Sequence, residues 1–234
     1  MAKGNEKAKK KDFVEIKYTG YANGEVFDSN VEEDVKKLNP KARGRKTIIC
    51  VGEGMVVAGL DNALEGKEIG RDYEIDIPVK EGFGERKREL VKTIPLSVFT
   101  EKKVDPKPGR FLTLDNFLVK IIAVSGARIV TDFNNPLAGK QLKYKFKIER
   151  KVLDDNERAG ALFEVLFKFI PEFSLEGEKI VVKGPKGLEV FVKEFGEKFK
   201  ELLGRDLEFE EKKKGLEEKM KEKKELEEEE KADN

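Results

Sequence analysis

Histidine and tryptophan are absent from these 234 residues, and Cys50 is the single cysteine. One cysteine excludes an internal disulfide, and without histidine or a second thiol the usual zinc ligand sets cannot be assembled. The same gap removes Ser-His and Cys-His nucleophile pairs. No stretch approaches the ~18 apolar residues of a membrane span. The basic segment 1–11 leads into no apolar run, so it does not read as a signal peptide. Neither sign of charge is in excess: Lys+Arg 48 against Asp+Glu 47 gives no electrostatic case for nucleic acid or an anionic membrane. The expectation is a soluble, cytoplasmic protein with no cofactor and no metal, whose chemistry rests on carboxylates, tyrosines, lysines or an apolar environment.

What is abundant is Lys and Glu. Charged residues make up 41% of the chain, well above the ~25% of ordinary globular domains, an enrichment of the kind found in hyperthermophile proteins. The 38% of hydrophobic residues still suffices for a core, and the length fits one large domain or two to three small ones.

Alternation at Val14, Ile16 and Tyr18 predicts a half-buried strand, followed by an Asn23-Gly24 hairpin turn. A polar stretch from Val31 to Lys46 reads as a loop with a helical turn. Ile48 to Val51 reads as a short strand, and Val56 to Leu64 as a short helix ended at Gly66. Tyr73, Ile75 and Ile77 alternate with acids up to Pro78. From Glu85 to about Asn134 the character changes: Thr93 to Phe99 reads as an apolar turn or short helix, then three strands are expected over Arg110 to Leu114, Phe117 to Val124 and Ala127 to Phe133. Leu142, Tyr144, Phe146 and Ile148 alternate with lysines as a clear amphipathic strand. Beyond Asp154 the order α-β-β-α-β is expected, with helical stripes at Leu162 to Ile170 and Phe195 to Leu203 and strands at Lys179 to Lys183 and Leu188 to Val192. From Glu210 onward the chain is nearly all Lys and Glu, a solvated helix or tail.

Three ordered segments then carry a resemblance: Tyr18-Thr19-Gly20 with Phe27-Asp28-Ser29; Val51-Gly52-Glu53-Gly54 with Val56-Val57-Ala58-Gly59-Leu60; and Gly82-Phe83-Gly84. Together they resemble the FKBP family of peptidyl-prolyl cis/trans isomerases over roughly residues 11–150. The insertion between Gly84 and Leu142, with Pro136-Leu137-Ala138-Gly139-Lys140 after it, is similar to the SlyD-type branch with its insert-in-flap chaperone domain. The remaining C-terminal part resembles that branch's long archaeal form. The fold implied is α+β: an antiparallel half-barrel sheet wrapped on a short helix, an inserted small β domain and a C-terminal α+β domain. The divisions expected are a basic leader at 1–11, a discontinuous isomerase domain at 12–85 and 135–152, an insert at 86–134, a C-terminal domain at 153–211 and a charged tail at 212–234.

The resemblance implies catalytic roles for Tyr18, Phe27, Asp28, Phe83 and Tyr144, and substrate contacts from Ile49, Val56, Val57 and Leu60. It fits the composition. Rotation about an X-Pro bond must overcome a barrier of ~18–20 kcal/mol by breaking amide resonance, and an apolar pocket favours the less polar, twisted amide with no nucleophile or metal. Leu60 replaces the family's usual tryptophan floor, Phe83 stands where a tyrosine is usual, and Thr47 where an aromatic is common; these departures speak against tight binding of macrolide inhibitors. Taken singly, Tyr18, Ile49 and Tyr144 on alternating strands read as plain core, and Asp28 equally as a turn carboxylate. Cys50 reads as buried filler. In the insert, Ile94, Leu96, Val98, Phe99, Phe117 and Leu118 are expected to offer a surface to unfolded, proline-containing chains, because about fifty residues bury apolar area poorly. The C-terminal stripes imply a homodimer. The rival reading is a holdase or assembly module whose isomerase site is vestigial.

Overall fold

The computed structural model describes residues 6–212, so the first five residues and the charged tail from 213 lie outside it. The described chain divides into two compact units, one of residues 6–10, 16–47 and 51–150, the other of 11–15, 48–50 and 151–212. Its elements are short helices and mainly antiparallel sheets.

β1 (Phe13–Ala22) turns at Asn23-Gly24 into β2 (Glu25–Ser29). Helix α1 (Glu32–Leu38), strand β3 (Thr47–Cys50), helix α2 (Ala58–Leu64) and strand β4 (Asp72–Ile77) follow. The sheet runs β2-β1-β9-β4, where β9 is Leu142–Lys151 and β3 also pairs with β1. In β9 the alternation holds: Leu142, Tyr144, Phe146 and Ile148 are buried, with lysines between them turned outward. α2 lies close against β4, since a Cβ added to Gly59 would fall 2.4 Å from Ile77 Cγ2. Residues 6–8 are not a detached leader: Ala8 is buried, donates to Lys67 O and accepts from Gly66 N–H at 2.8 Å.

Residues 91–132 form a four-stranded sheet in the order β5-β8-β7-β6: β5 is Val91–Pro95, β6 Phe111–Leu114, β7 Phe117–Ser125 and β8 Arg128–Asp132. Helix α3 (Leu96–Glu101) packs on it. The segment expected to be a single turn or helix is thus a strand followed by a helix, with Pro95 as the last strand residue and the extended N-cap of α3. Phe99, assigned to the exposed surface from sequence, is buried with Leu114, Val119, Ile121 and Ile129; the helix turns it inward one turn after Leu96. Ile94, Leu96 and Val98 are half-buried against the same cluster. The exposed apolar side chains here are Phe111, Phe117, Leu118, Ile122 and Val124.

In the second unit, α4 (Asp155–Leu166) is capped by the Asp154 carboxylate, which accepts from Glu157 N–H. β10 (Glu172–Glu176) pairs antiparallel with β11 (Lys179–Gly184), and β12 (Asp206–Glu211) pairs parallel with β11 through the crossover helix α5 (Leu188–Leu203). Two expectations are corrected. Leu188 to Val192 is the first turn of α5 and not a strand, because Leu188, Val192, Phe195, Phe199 and Leu202 form one helical stripe. The other strand of the hairpin is Glu172–Glu176. α4 ends at Leu166, short of Ile170 where the expected helical stripe ended, as Lys168 turns left-handed at φ 66°. Phe163 sits at the centre of the core, its ring 5.0 Å from Phe167 and 4.6 Å from Phe199.

Candidate active site

The cleft is built where β1, β2 and β9 meet α2. The pairing of Gly20 with Asp28 and of Tyr21 with Val26 leaves Phe27 as an extra residue in β2, a β-bulge. A bulge breaks strict alternation and re-aims side chains, so Phe27 and its neighbour Asp28 both serve this corner. Gly20 makes room: a Cβ there would fall 2.8 Å from Phe27 Cζ and 3.0 Å from Tyr144 Cε1. The Phe27 ring stands edge-on to Tyr144 at 5.8 Å and to Phe83 at 6.0 Å, and Tyr18 lies 6.1 Å from Tyr144.

The hollow beside these rings has a volume of about 440 Å³ and is lined by Tyr18, Asp28, Arg45, Met55 to Ala58, Leu60, Gly82, Phe83 and Tyr144. Leu60 is 1% exposed and Phe83 37%, so one is fixed in the floor and the other stands at the rim. Asp28 is the single acid in this lining. Its Oδ2 accepts from the Tyr18 hydroxyl at 3.0 Å. Burial, then the Asp28 charge and that hydrogen bond, push the Tyr18 phenol up to about 12, with Arg45 opposing. Burial, then Asp28 and Tyr18, push Tyr144 up as well. Both phenols therefore remain protonated at neutral pH.

Of the residues expected from sequence, Tyr18, Asp28, Val56, Val57, Leu60, Phe83 and Tyr144 come together in this lining, with Phe27 packed on its aromatic wall. Ile49 does not line it. It is buried in β3 beside Cys50 and Val51, which are buried as well.

Four contributors were missed. Arg45 and Met55 lie in segments without a clear pattern. Asn30 is buried and takes the place of a ladder residue: its Oδ1 accepts from Tyr18 N–H at 2.8 Å, and its Nδ2 donates to Ile16 O at 2.7 Å. Asp61 is buried on α2 and accepts from Gly52 N–H at 2.8 Å and Gly54 N–H at 2.7 Å, holding the turn that presents Met55 to Val57. An acid inside an apolar helical stripe was the available signal for Asp61.

Two other hollows, of about 500 and 520 Å³, are lined largely by charged side chains such as Glu74 and Lys145, many of them already in ion pairs. The first also has Tyr18, Tyr73 and Phe146 in its lining and the second Tyr21, but neither is lined by Asp28, Leu60, Phe83 or Tyr144.

A profile of the FKBP-type peptidyl-prolyl cis-trans isomerases matches residues 4–98. The short-type peptidyl-prolyl cis-trans isomerase of Methanocaldococcus jannaschii is 32% identical over 143 residues, 60% of this chain and 91% of that protein. The FKBP-type peptidyl-prolyl cis-trans isomerases SlyD of Yersinia pestis and Escherichia coli K12 are 34% and 31% identical, each over 100 residues. The matched stretch is 42% of this chain and about half the length of those SlyD proteins, 51% in each.

Proposed function

The chain belongs to the FKBP-type peptidyl-prolyl cis-trans isomerase family, and from that premise we propose that it isomerises X-Pro bonds of unfolded or partly folded polypeptides in the cleft over Leu60. The observation that carries this reading is the pairing of the cleft's one carboxylate with the Tyr18 hydroxyl inside an aromatic wall. A planar amide carries charge separation that water stabilises; the twisted amide carries less. Moving the prolyl bond out of water onto Tyr18, Phe27, Leu60, Phe83 and Tyr144 therefore raises the planar state relative to the twisted one. Backbone groups at Val56 and Val57 hold the flanking peptide, and Asp28 with Tyr18 keeps the wall in shape. A protease-coupled or exchange-NMR assay on an X-Pro tetrapeptide tests the proposal; a rate equal to the uncatalysed one overturns it.

The sheet of residues 91–132 adds a holding function. Phe117 is 63% exposed and Leu118 52%, beside Phe111 and Ile122, and an apolar group of this kind serves to bind unfolded chain. Its test is suppression of a client's aggregation, expected to survive Phe27→Ala and to disappear when residues 85–134 are removed. Persistence of suppression without that segment overturns it. The rival, a holdase with a vestigial isomerase site, predicts no peptide turnover by the intact chain.

In the second unit, most of the two helical stripes is consumed by the core. Phe169 and Ile170 at the end of the first stripe remain exposed, at 44% and 56%. So do Val190 and Phe191 beside the second, at 66% and 36%, and Leu153 ahead of α4, at 83%. These are the residues through which a homodimer would form, and a monomeric mass by light scattering removes that reading.

A further inference from the structure

The chain leaves the first sheet after Gly84 and returns to it by Leu142, so two segments connect the sheet of residues 91–132 to the cleft-bearing sheet. Untied connections of this kind would leave the inserted sheet on a loose double tether. They are tied. The Asn134 side chain acts as a strand residue: its Oδ1 accepts from Lys87 N–H at 2.8 Å and its Nδ2 donates to Lys87 O at 2.9 Å, the two bonds of a β-bridge from one amide. Asp132 Oδ1 accepts from Asn134 N–H at 2.9 Å and Asn134 Nδ2 at 2.7 Å. Asp132 Oδ2 accepts from Arg86 at Nε, 2.9 Å, and at Nη2, 2.7 Å. On either side, Phe133 N–H donates to Leu90 O at 2.9 Å and Gly139 N–H to Gly84 O at 2.8 Å.

Asp132 and Asn134 are 8% and 7% exposed, yet neither lines the cleft. A buried polar network whose members are all paired is rigid, and it is costly to break because each loose group would be left without a partner. The burial of Asp132 by itself disfavours its charge, but the hydrogen bonds from Asn134 and Arg86 outweigh this and hold the carboxyl below its usual range. The fork of Arg86 makes the tie directional as well as strong.

We propose that Arg86, Asp132 and Asn134 are positioning residues for protein substrates: they fix the inserted sheet at a set place relative to the cleft, so that a chain held on Phe117 and Leu118 presents its prolyl bonds to the catalytic wall. This rests on the reading of the inserted sheet as the client-holding surface. The gain from holding a substrate beside a site depends on the geometry of the link. A loosened link dilutes that gain but leaves a short peptide, which binds the cleft alone, unaffected. Phe83 has anchors of its own that do not pass through Arg86, Asp132 or Asn134, because Gly82 N–H donates to Pro78 O and Gly84 N–H to Val79 O.

The test uses the full chain in four forms: wild type, Asn134→Leu, Arg86→Gln and the surface variant Phe117→Ser/Leu118→Ser. Each is assayed on an X-Pro tetrapeptide and on the proline-limited refolding of an unfolded protein, with amide exchange read at Lys87. For Asn134→Leu and Arg86→Gln we expect faster exchange at Lys87, tetrapeptide kcat/KM within about twofold of wild type and refolding acceleration reduced roughly fivefold. Arg86→Lys, which keeps the charge but loses the fork, falls between. Should Asn134→Leu fail to fold, Arg86→Gln, at a half-exposed side chain, carries the test. Unchanged refolding with loosened Lys87, or equal losses on both substrates, overturns the proposal. If the surface variant refolds clients as fast as wild type, the holding function itself fails and the proposal with it. If only the surface variant is impaired, the tie alone is refuted.

Discussion

The Asp61 carboxylate accepts hydrogen bonds from two glycine N–H groups, Gly54 at 2.7 Å and Gly52 at 2.8 Å. Both glycines have positive φ, 81° at Gly52 and 68° at Gly54, a conformation side chains resist. The turn is thus shaped by glycine and locked by one acid, and its far end carries Met55, Val56 and Val57 into the cleft. Asp61→Ala is expected to lower tetrapeptide kcat/KM about tenfold by loosening that rim and to cost about 1–3 kcal/mol of stability. Amide exchange at Gly52 and Gly54 reports the unlocking directly. Asp61→Ala with wild-type turnover and fast exchange at both glycines would show that the rim needs no lock.

Tyr18→Phe removes the hydroxyl that donates to Asp28 and should slow turnover about three- to tenfold without altering the fold. The phenol is pushed up to about 12, against about 10 in an unfolded chain. A raised value means that the native state holds the proton more tightly, so this contribution to stability is complete below about pH 10. It is lost as pH rises from there through about 12. Turnover should be flat across neutral and mildly alkaline pH, and tyrosinate absorbance should show Tyr18 titrating late. An alkaline limb near pH 10 that vanishes in Tyr18→Phe would contradict the assignment.

Much of the cleft was legible because its parts sit on patterns of known period. Tyr144 follows from the alternation of β9, and Leu60 from the short helix after Gly54. Asp28 and Phe27 were legible only through motif order, since the bulge at Phe27, opposite Gly20 and Tyr21, defeats a two-residue period. Asn30 escaped because its contribution is made by a side chain replacing a ladder residue, which no hydrophobic pattern records. Phe99 and the Leu188 segment went astray for a common reason. Over five or six residues an apolar run fits either a strand or a helix turn, and what decides is packing against distant residues such as Leu114 and Ile129 for Phe99. The second hairpin strand, Glu172–Glu176, was hidden by its flanking acids and its position directly after Pro171.

Gly20→Ala tests how closely the aromatic wall is fitted. The new methyl would fall 2.8 Å from Phe27 Cζ and 3.0 Å from Tyr144 Cε1, closer than carbon atoms approach without displacement. Phe27 can swing away, so the fold should persist at a cost of about 1–3 kcal/mol, while kcat/KM on a tetrapeptide falls about five- to tenfold. Ring proton shifts of Phe27 and Tyr144 should move together. Full activity with an unmoved Phe27 ring would mean that β1 yields instead.

The second unit should fail at acid pH through Asp155. Its Oδ2 accepts from Arg205 at Nη2, 2.6 Å, and Nε, 3.1 Å, while Oδ1 accepts from Arg158 Nη1 at 2.9 Å. The hydrogen bond from Arg205 is the main reason that the carboxyl lies below its ordinary value; burial opposes it, and the charges of Arg205 and Arg158 assist. A lowered value means the native state binds its proton less tightly than the unfolded chain does. The contribution is therefore present above the unfolded value of about 3.9 and is lost as pH falls through the native one. Asp155→Asn keeps the shape but removes the charge, and should cost about 1–2 kcal/mol at neutral pH, given that the pair is partly exposed. The gap between variant and wild type should close as the wild-type carboxyl protonates in acid. Thermal unfolding followed by the methyl signals of Leu162, Val181 and Val182, all buried in this unit, measures both effects. A destabilisation that stays constant down to strongly acid pH would show that Asp155 acts by packing and not by charge.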